Sequence, residues 1–209
     1  MSDGDPSSEP TAQAPTQPSI GPPIGTPPDD IGPVPRREDI RVRRYLVDDP
    51  IPAITSLLHR AYARQRAMGL DPLAGRQDDR TTLERVLASE CYLAVDAPPN
   101  QPERRIVGLI LFNEHEKVSF PATFLQPGTA HFAMFAVDPT LQGIGIGVRL
   151  LETVEARARE IASDRLALSM AEPDTALQRY YERRGYAFVE TWRWPYTNYD
   201  SLILARPIE

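Results

Sequence analysis

Three glycines, Gly143, Gly145 and Gly147, stand at alternate positions between Val137 and a series of apolar residues at helical spacing, Val148, Leu150, Leu151, Val154 and Ile161. Glycines let a backbone turn sharply and approach a ligand without a Cβ in the way, and a helix that follows aims unpaired N–H groups and the positive end of its dipole at the turn. Such a turn binds an anion. No Lys-Ser or Lys-Thr follows the last glycine, which excludes a nucleoside triphosphate loop. Val148 stands where a dinucleotide fingerprint carries glycine or alanine. Glu172 imitates the ribose-binding acid of a dinucleotide site, but the chain lacks the repeated strand-helix-strand units of that fold.

The spacing of Gln142, Gly145 and Gly147 resembles the acyl-CoA signature of the GCN5-related N-acetyltransferase (GNAT) superfamily: Gln or Arg, two residues, Gly, one residue, then Gly or Ala. Val137-Asp138-Pro139 precedes it like the family's Val-x-Pro, and Leu150-Leu151 follows like its paired leucines. A second segment, 174–186, is similar to the family's Asn-x-x-Ala-x-x-Phe-Tyr-Glu-Lys-x-Gly-Phe. It departs from that pattern at Asp174 for Asn, Leu177 for Ala, and Tyr180 and Tyr186 for Phe. The resemblance covers residues 40–206 in outline and 131–188 in detail.

What the resemblance implies is acetyl-CoA as co-substrate, with no metal, and transfer of its acyl group to a primary amine in a ternary complex. The N–H groups of Gly143, Ile144, Gly145, Ile146 and Gly147, with Gln142, are then expected to cradle the CoA pyrophosphate. Phe135, Ala136 and Val137 pair with the pantetheine amides like an added strand, and Asp174 touches the pantetheine arm. A strand N–H near Phe135 or Ala136 polarises the thioester carbonyl. Tyr181 takes the place where the family commonly sets a tyrosine beside the thioester sulfur; a phenol of reference pKa about 10 is a sensible acid for a thiol of about 8.5. A buried aromatic with a satisfied hydroxyl is the other reading of Tyr181, and Tyr180 is assigned to the core. His131, six residues before Val137, holds the register of a proton relay, with a backbone-bonded strand-end histidine as the alternative. Glu114 and Glu116 are reserve candidates. A non-catalytic acyl-CoA-binding module of the same fold is the competing class.

These residues need a scaffold, and hydropathy patterning supplies one. Residues 40–43 alternate as a half-buried strand, and Ile54, Leu57, Leu58, Ala61 and Tyr62 recur at helical spacing behind Pro50 and Pro52. Thr82, Leu83, Val86 and Leu87 suggest a shorter helix. Residues 91–95 and 106–112 form apolar strands joined by a Pro-rich hairpin loop, and 131–137 a fourth strand. A long helix is expected from Gly143, a strand over 166–170, a helix over 175–184 closed by Gly185, and strands over 186–192 and 201–204. The expected fold class is therefore α/β, an α+β mixed sheet of about seven strands and four helices over residues 39–209.

Ten of the 22 prolines lie in residues 1–35, so 1–38 is expected as a disordered Pro-rich tail, with partner docking as a second reading. That segment also holds five acids and no base, which leaves residues 36–209 at −1 of the formal −6. A nearly neutral domain argues against a nucleic-acid surface, and no apolar run approaches a membrane span. The one cysteine, Cys91, sits in an apolar strand, where a structural role outweighs a nucleophilic one. The expected setting is cytoplasmic, the expected partner a small-molecule or peptide amine, and the candidate assembly a homodimer. Acceptor choice is assigned to the loop 68–78 and to the aromatic segment 192–199, whose rings either line a ligand slot or cover a sheet edge.

Overall fold

The computed structural model describes residues 34–100, 102–103, 105–113 and 120–209. The expected tail lies almost wholly outside them, and so do Glu114 and Glu116. The described elements are β1 (Ile40–Arg44), α1 (Ile51–Ala61), α2 (Ala63–Ala67), α3 (Asp79–Leu87), β2 (Glu90–Asp96), β3 (Arg105–Asn113), β4 (Thr129–Val137), α4 (Ile146–Glu160), β5 (Arg165–Ala171), α5 (Thr175–Glu182), β6 (Ala187–Trp192) and β7 (Ser201–Pro207). The mixed α/β class and the seven-stranded sheet agree with the sequence reading. The helices number five among the described residues, because Tyr62, at φ −89° and ψ 0°, ends α1 and a short second helix resumes at Ala63.

The strands lie in the order β1-β2-β3-β4-β5-β7-β6. β4 and β5 pair in parallel through the α4 crossover, and the other neighbours are antiparallel. β2 and β3 are almost continuously buried, as central strands covered on both faces must be. One face is closed by α4 and α5, through Leu150, Leu151, Val154, Ala158 and Tyr181. The other is closed by α1 and α3, through Ile54, Leu57, Leu58 and Val86. Each such aliphatic side chain contributes about 1.5–3 kcal/mol when fully withdrawn from water. Cys91 belongs to the second core and is 4% exposed; burial pushes its thiol up to about 12, so it stays protonated and packs as an apolar residue.

Two local departures matter for the site. α4 begins at Ile146, three residues later than expected, because Gly143 and Gly145 take φ of +90° and +94° and cannot be helical. β4 carries a bulge: Leu109 pairs with Ala136 and Leu111 with Ala133, so β4 spends one residue more than β3 over that span. Met134 absorbs it at φ +48°, in the left-handed region that methionine rarely visits. Consequently Ala133 and Met134 both contribute to the α1 side of the sheet, while Phe135 returns to the α4 side.

Among the described residues, no helix is long and apolar enough to cross a membrane, and no group of three or more His, Cys, Asp or Glu is arranged to hold a metal ion.

Candidate active site

The site grows from the one place where the sheet opens. β4 and β5 pair from Thr129 with Arg165 as far as Phe132 with Leu168, and there the ladder ends. β4 continues to Val137 on β3, and β5 to Ala171 on β7. The two strands therefore part beyond Phe132, leaving facing segments that line a cavity of about 1020 Å³. Phe135, Ala136 and Val137 lie on its wall, and the cavity extends to Gln142, Gly143, Gly145, Ile146 and Gly147.

The turn at that end is tightly built. Asp138 accepts hydrogen bonds from the Thr140 amide (3.1 Å) and hydroxyl (2.7 Å) and from Arg60 of α1 (2.9 Å), which fixes the entry to the turn. Positive φ at Gly143 and Gly145 then directs the chain into α4. A Cβ at Gly147 would lie 3.3 Å from the Phe135 ring, so this glycine lets the first turn of α4 rest on β4. Arg37 adds charge from the other side: its Nε lies 3.4 Å from where a Cβ on Gly145 would stand. Arg149, on α4, donates to the carbonyls of Arg37 (3.2 Å) and Ile40, holding this strand entry against the turn. Turn amides, a helix N-terminus and a guanidinium form an anion-binding end. Ile144 does not line the cavity; it packs against the core.

Asp174 caps α5 by accepting from the Leu177 amide (3.2 Å), and its carboxylate also receives Arg64 and Gln65 of α2. Burial alone raises its pKa, but those donors outweigh it and hold the carboxyl below its ordinary value. Asp174 thus lines the cavity with its oxygens already engaged. About two turns further along α5, Tyr181 is 4% exposed, lines the same cavity, and is packed by Phe132, Tyr180 and Tyr186 at ring separations of 6.0, 5.3 and 5.7 Å. Burial drives its phenol well above 10, so the hydroxyl carries its proton. Tyr180 is half-buried; it packs on the core, lines the cavity, and carries Arg184 over its ring at 3.7 Å.

His131 stands at the foot of the opening, paired with Asn113 on one side and Ala167 on the other. It is 3% exposed and stacks on Phe124 at 4.2 Å, with Phe120 at 6.1 Å. Burial lowers its pKa to about 4, so the imidazole is neutral at physiological pH.

The far wall joins the two segments assigned to acceptor choice. The Asp71 amide donates to Asn198 Oδ1 (2.8 Å), Asn198 Nδ2 donates to the Gly69 carbonyl (2.9 Å), and Arg76 donates to the Tyr196 carbonyl (2.8 Å). Pro72, Leu73 and Ala74 face the cavity from one segment, and Trp194, Tyr196 and Tyr199 from the other. The aromatics line a slot. Met134, Arg37 and the Arg64 contact to Asp174 escape sequence reasoning, since nothing in their local spacing signals a bulge, a side chain beside the Gly145 turn or a pair more than a hundred residues apart.

Residues 53–186 match the model of the acetyltransferase (GNAT) family. No curated protein sequence matches. Among solved structures, the ribosomal-protein-S18-alanine N-acetyltransferase from Escherichia coli superposes with a TM-score of 0.58 at 17% identity, over 81% of this chain and 94% of that one. The yncA protein from Salmonella typhimurium, solved with its cofactor acetyl-CoA, gives 0.58 at 16% identity, over 82% and 95%. A GNAT acetyltransferase from Elizabethkingia anophelis with acetyl-CoA bound gives 0.53 at 17%, over 81% and 99%. These likenesses concern the fold, and the family model, spanning more than half of the chain, carries the assignment. The matched span, 53–186, holds the opened β4–β5 pair and the glycine turn, and by that match this chain belongs to the acetyltransferase (GNAT) family.

Proposed function

We propose that this chain transfers the acetyl group of acetyl-CoA to a primary amine, by direct attack within a ternary complex. The observation that carries the reading is the parting of β4 from β5 beyond Phe132, next to an anion-binding turn at one end and the Tyr181 hydroxyl on the α5 wall. The turn amides over 143–147, Gln142 and Arg37 hold the pyrophosphate. The free edge of β4 at Phe135, Ala136 and Val137 receives the pantetheine as a strand would, which sets the thioester beside the bulge. A β4 N–H near Phe135 or Ala136 polarises its carbonyl. The amine nitrogen bonds to the carbonyl carbon, the carbon–sulfur bond breaks, and the sulfur takes a proton from Tyr181 while the amine gives up its own. His131, neutral at the foot of the opening, passes that proton on directly or through water to solvent, from which Tyr181 regains one as the CoA thiol leaves. Asp174 contributes by fixing the start of α5, and with it the place of Tyr181. Cys91, buried and protonated, takes no covalent part.

The test is acetyl-CoA binding followed by CoA release against an amine panel. A ligand at about 100 times its dissociation constant stabilises the folded state by about 2.7 kcal/mol. No thermal shift with acetyl-CoA sinks the proposal. A shift with no CoA release from any amine replaces it with the non-catalytic acyl-CoA module.

A further inference from the structure

We infer that the acceptor carries a carboxylate as well as its amine, and that Arg85 of α3 is the side chain that binds it. This rests on the acetyl-transfer reading and names the acceptor class for the same cavity.

Most arginines on this side of the sheet already have an acid. Arg60 is paired with Asp138, Arg64 with Asp174, Arg76 with Asp71 and Arg80 with Glu84. Arg85 lines the cavity, and among the described residues its hydrogen-bond partner is the neutral oxygen of Gln77, to which Nη1 donates at 2.7 Å. A guanidinium drawn out of water without a carboxylate is costly, and burial indeed lowers the Arg85 pKa, although the group remains charged at any physiological pH. A half-buried cation that faces a cavity with no acid beside it among the described residues marks a binding group.

The placement is built rather than incidental. Gln77 is 3% exposed, and its amide nitrogen is committed to the Thr82 hydroxyl (2.8 Å) and to the Met134 sulfur (3.9 Å), which aims its oxygen at Arg85. The Thr82 hydroxyl in turn accepts from Thr55 of α1 (2.9 Å). Arg85 is thereby held two contacts from the β4 bulge, where the thioester is proposed to lie, and at a different part of the wall from the pyrophosphate turn. Tyr62 and Tyr196 share the cavity wall with it, and burial keeps their phenols protonated and hence able to donate. The described acid on the cavity wall, Asp174, is engaged by Arg64 and Gln65, so an anionic acceptor meets no exposed carboxylate there.

A planar fork with one N–H engaged among the described residues, on a wall it shares with two phenols, matches a carboxylate, which it can bind through two parallel hydrogen bonds. With the amine at the opening and the acid at Arg85, the acceptor is an amino acid or a peptide presenting an acid near its free amine. Apolar wall from Leu73, Ala74 and Trp194 accommodates a side chain.

The experiment uses the full chain with saturating acetyl-CoA and matched acceptors: L-phenylalanine against phenethylamine, L-tyrosine against tyramine, and Asp-Phe dipeptide against Asn-Phe amide. Calorimetric titration of the same compounds onto the CoA-loaded protein runs in parallel, up to about 10 mM, where even weak acceptors bind. We expect acid-bearing members to exceed their twins by about 30-fold or more in kcat/KM, as a desolvated charge pair commands. We expect that ratio to collapse toward one in Arg85→Gln and to recover in part in Arg85→Lys. Thermal unfolding and acetyl-CoA affinity confirm that both variants are folded. Preference for the free amino acids or for the dipeptide identifies the source of the acid. Turnover of the twins at rates equal to or above the acids overturns the inference while acetyl transfer stands. Arg85-dependent binding of acids with no turnover upholds the inference and removes the catalytic reading. Absence of any Arg85-dependent binding or preference overturns it outright.

Discussion

Arg64 of α2 and the carboxylate of Asp174 at the N-cap of α5 form a guanidinium–carboxylate pair that joins two helices at the cavity wall, with the Asp174 side chain 3% exposed and that of Arg64 59%. Removing the cation leaves a buried acid with Gln65 and the Leu177 amide as donors. Because the folded-state pKa of Asp174 is depressed, its stabilisation is present above the unfolded value and lost as pH falls through the folded one. Arg64→Ala should therefore cost about 1 kcal/mol at neutral pH, a figure kept small because Arg64 is largely in solvent, and less than that well below the reference carboxylate pKa of about 4, where folded Asp174 is itself protonated. Urea denaturation at both pH values measures it; equal losses contradict the assignment.

Tyr181→Phe keeps the ring that packs on Phe132 and Tyr186 and removes only the hydroxyl. Turnover should fall about 100-fold, the scale of a lost general acid, while acetyl-CoA affinity stays within about threefold. Stopped-flow CoA release and calorimetry separate the two, and unchanged turnover takes Tyr181 out of the chemistry.

Gly145→Ala forces a side chain to φ +94° at the turn, which costs about 1–2 kcal/mol in backbone strain and moves an amide from the anion. Acetyl-CoA binding should weaken by about tenfold or more in calorimetry. Arg37→Ala should weaken it less, and should flatten the dependence of the dissociation constant on salt, since the guanidinium contributes through charge. Salt dependence identical to that of the parent chain speaks against Arg37 facing the phosphates.

His131 is neutral when folded, with its pKa lowered to about 4 by burial, whereas the unfolded chain takes up a proton near 6.5. The unfolded state thus binds the extra proton between those values, so stability falls as pH drops from 6.5 toward 4, by roughly 3 kcal/mol in all. His131→Gln should flatten that limb of the stability curve in denaturant titrations, and a slope that survives the substitution assigns it to other groups.

Much of the architecture was legible because the elements that build it are local. The apolar runs of β2 and β3, the helical spacing of α1 and α4 and the Gly185 stop of α5 each follow from a few adjacent residues. The glycine turn was legible for the same reason, although its helix was placed too early, since composition alone does not reveal which glycines adopt positive φ. What stayed hidden is relational. Met134 is an unremarkable apolar residue until β3 is laid beside it, and the carboxylate of Asp174 meets its cation, Arg64, 110 positions away. Arg85 is one arginine among many until its neighbours are counted.

The hydrogen bonds that join Asn198 and Tyr196 to Gly69, Asp71 and Arg76 have a meaning for inheritance and for engineering. On the proposed function, the donor half of the cavity comes from one continuous stretch around β4, α4 and α5, whereas the recipient half is stitched together from two stretches that flank it in the chain. A graft that exchanges one of those stretches breaks the stitching and leaves the donor half intact. New recipients are therefore to be sought by moving both stretches as one cassette.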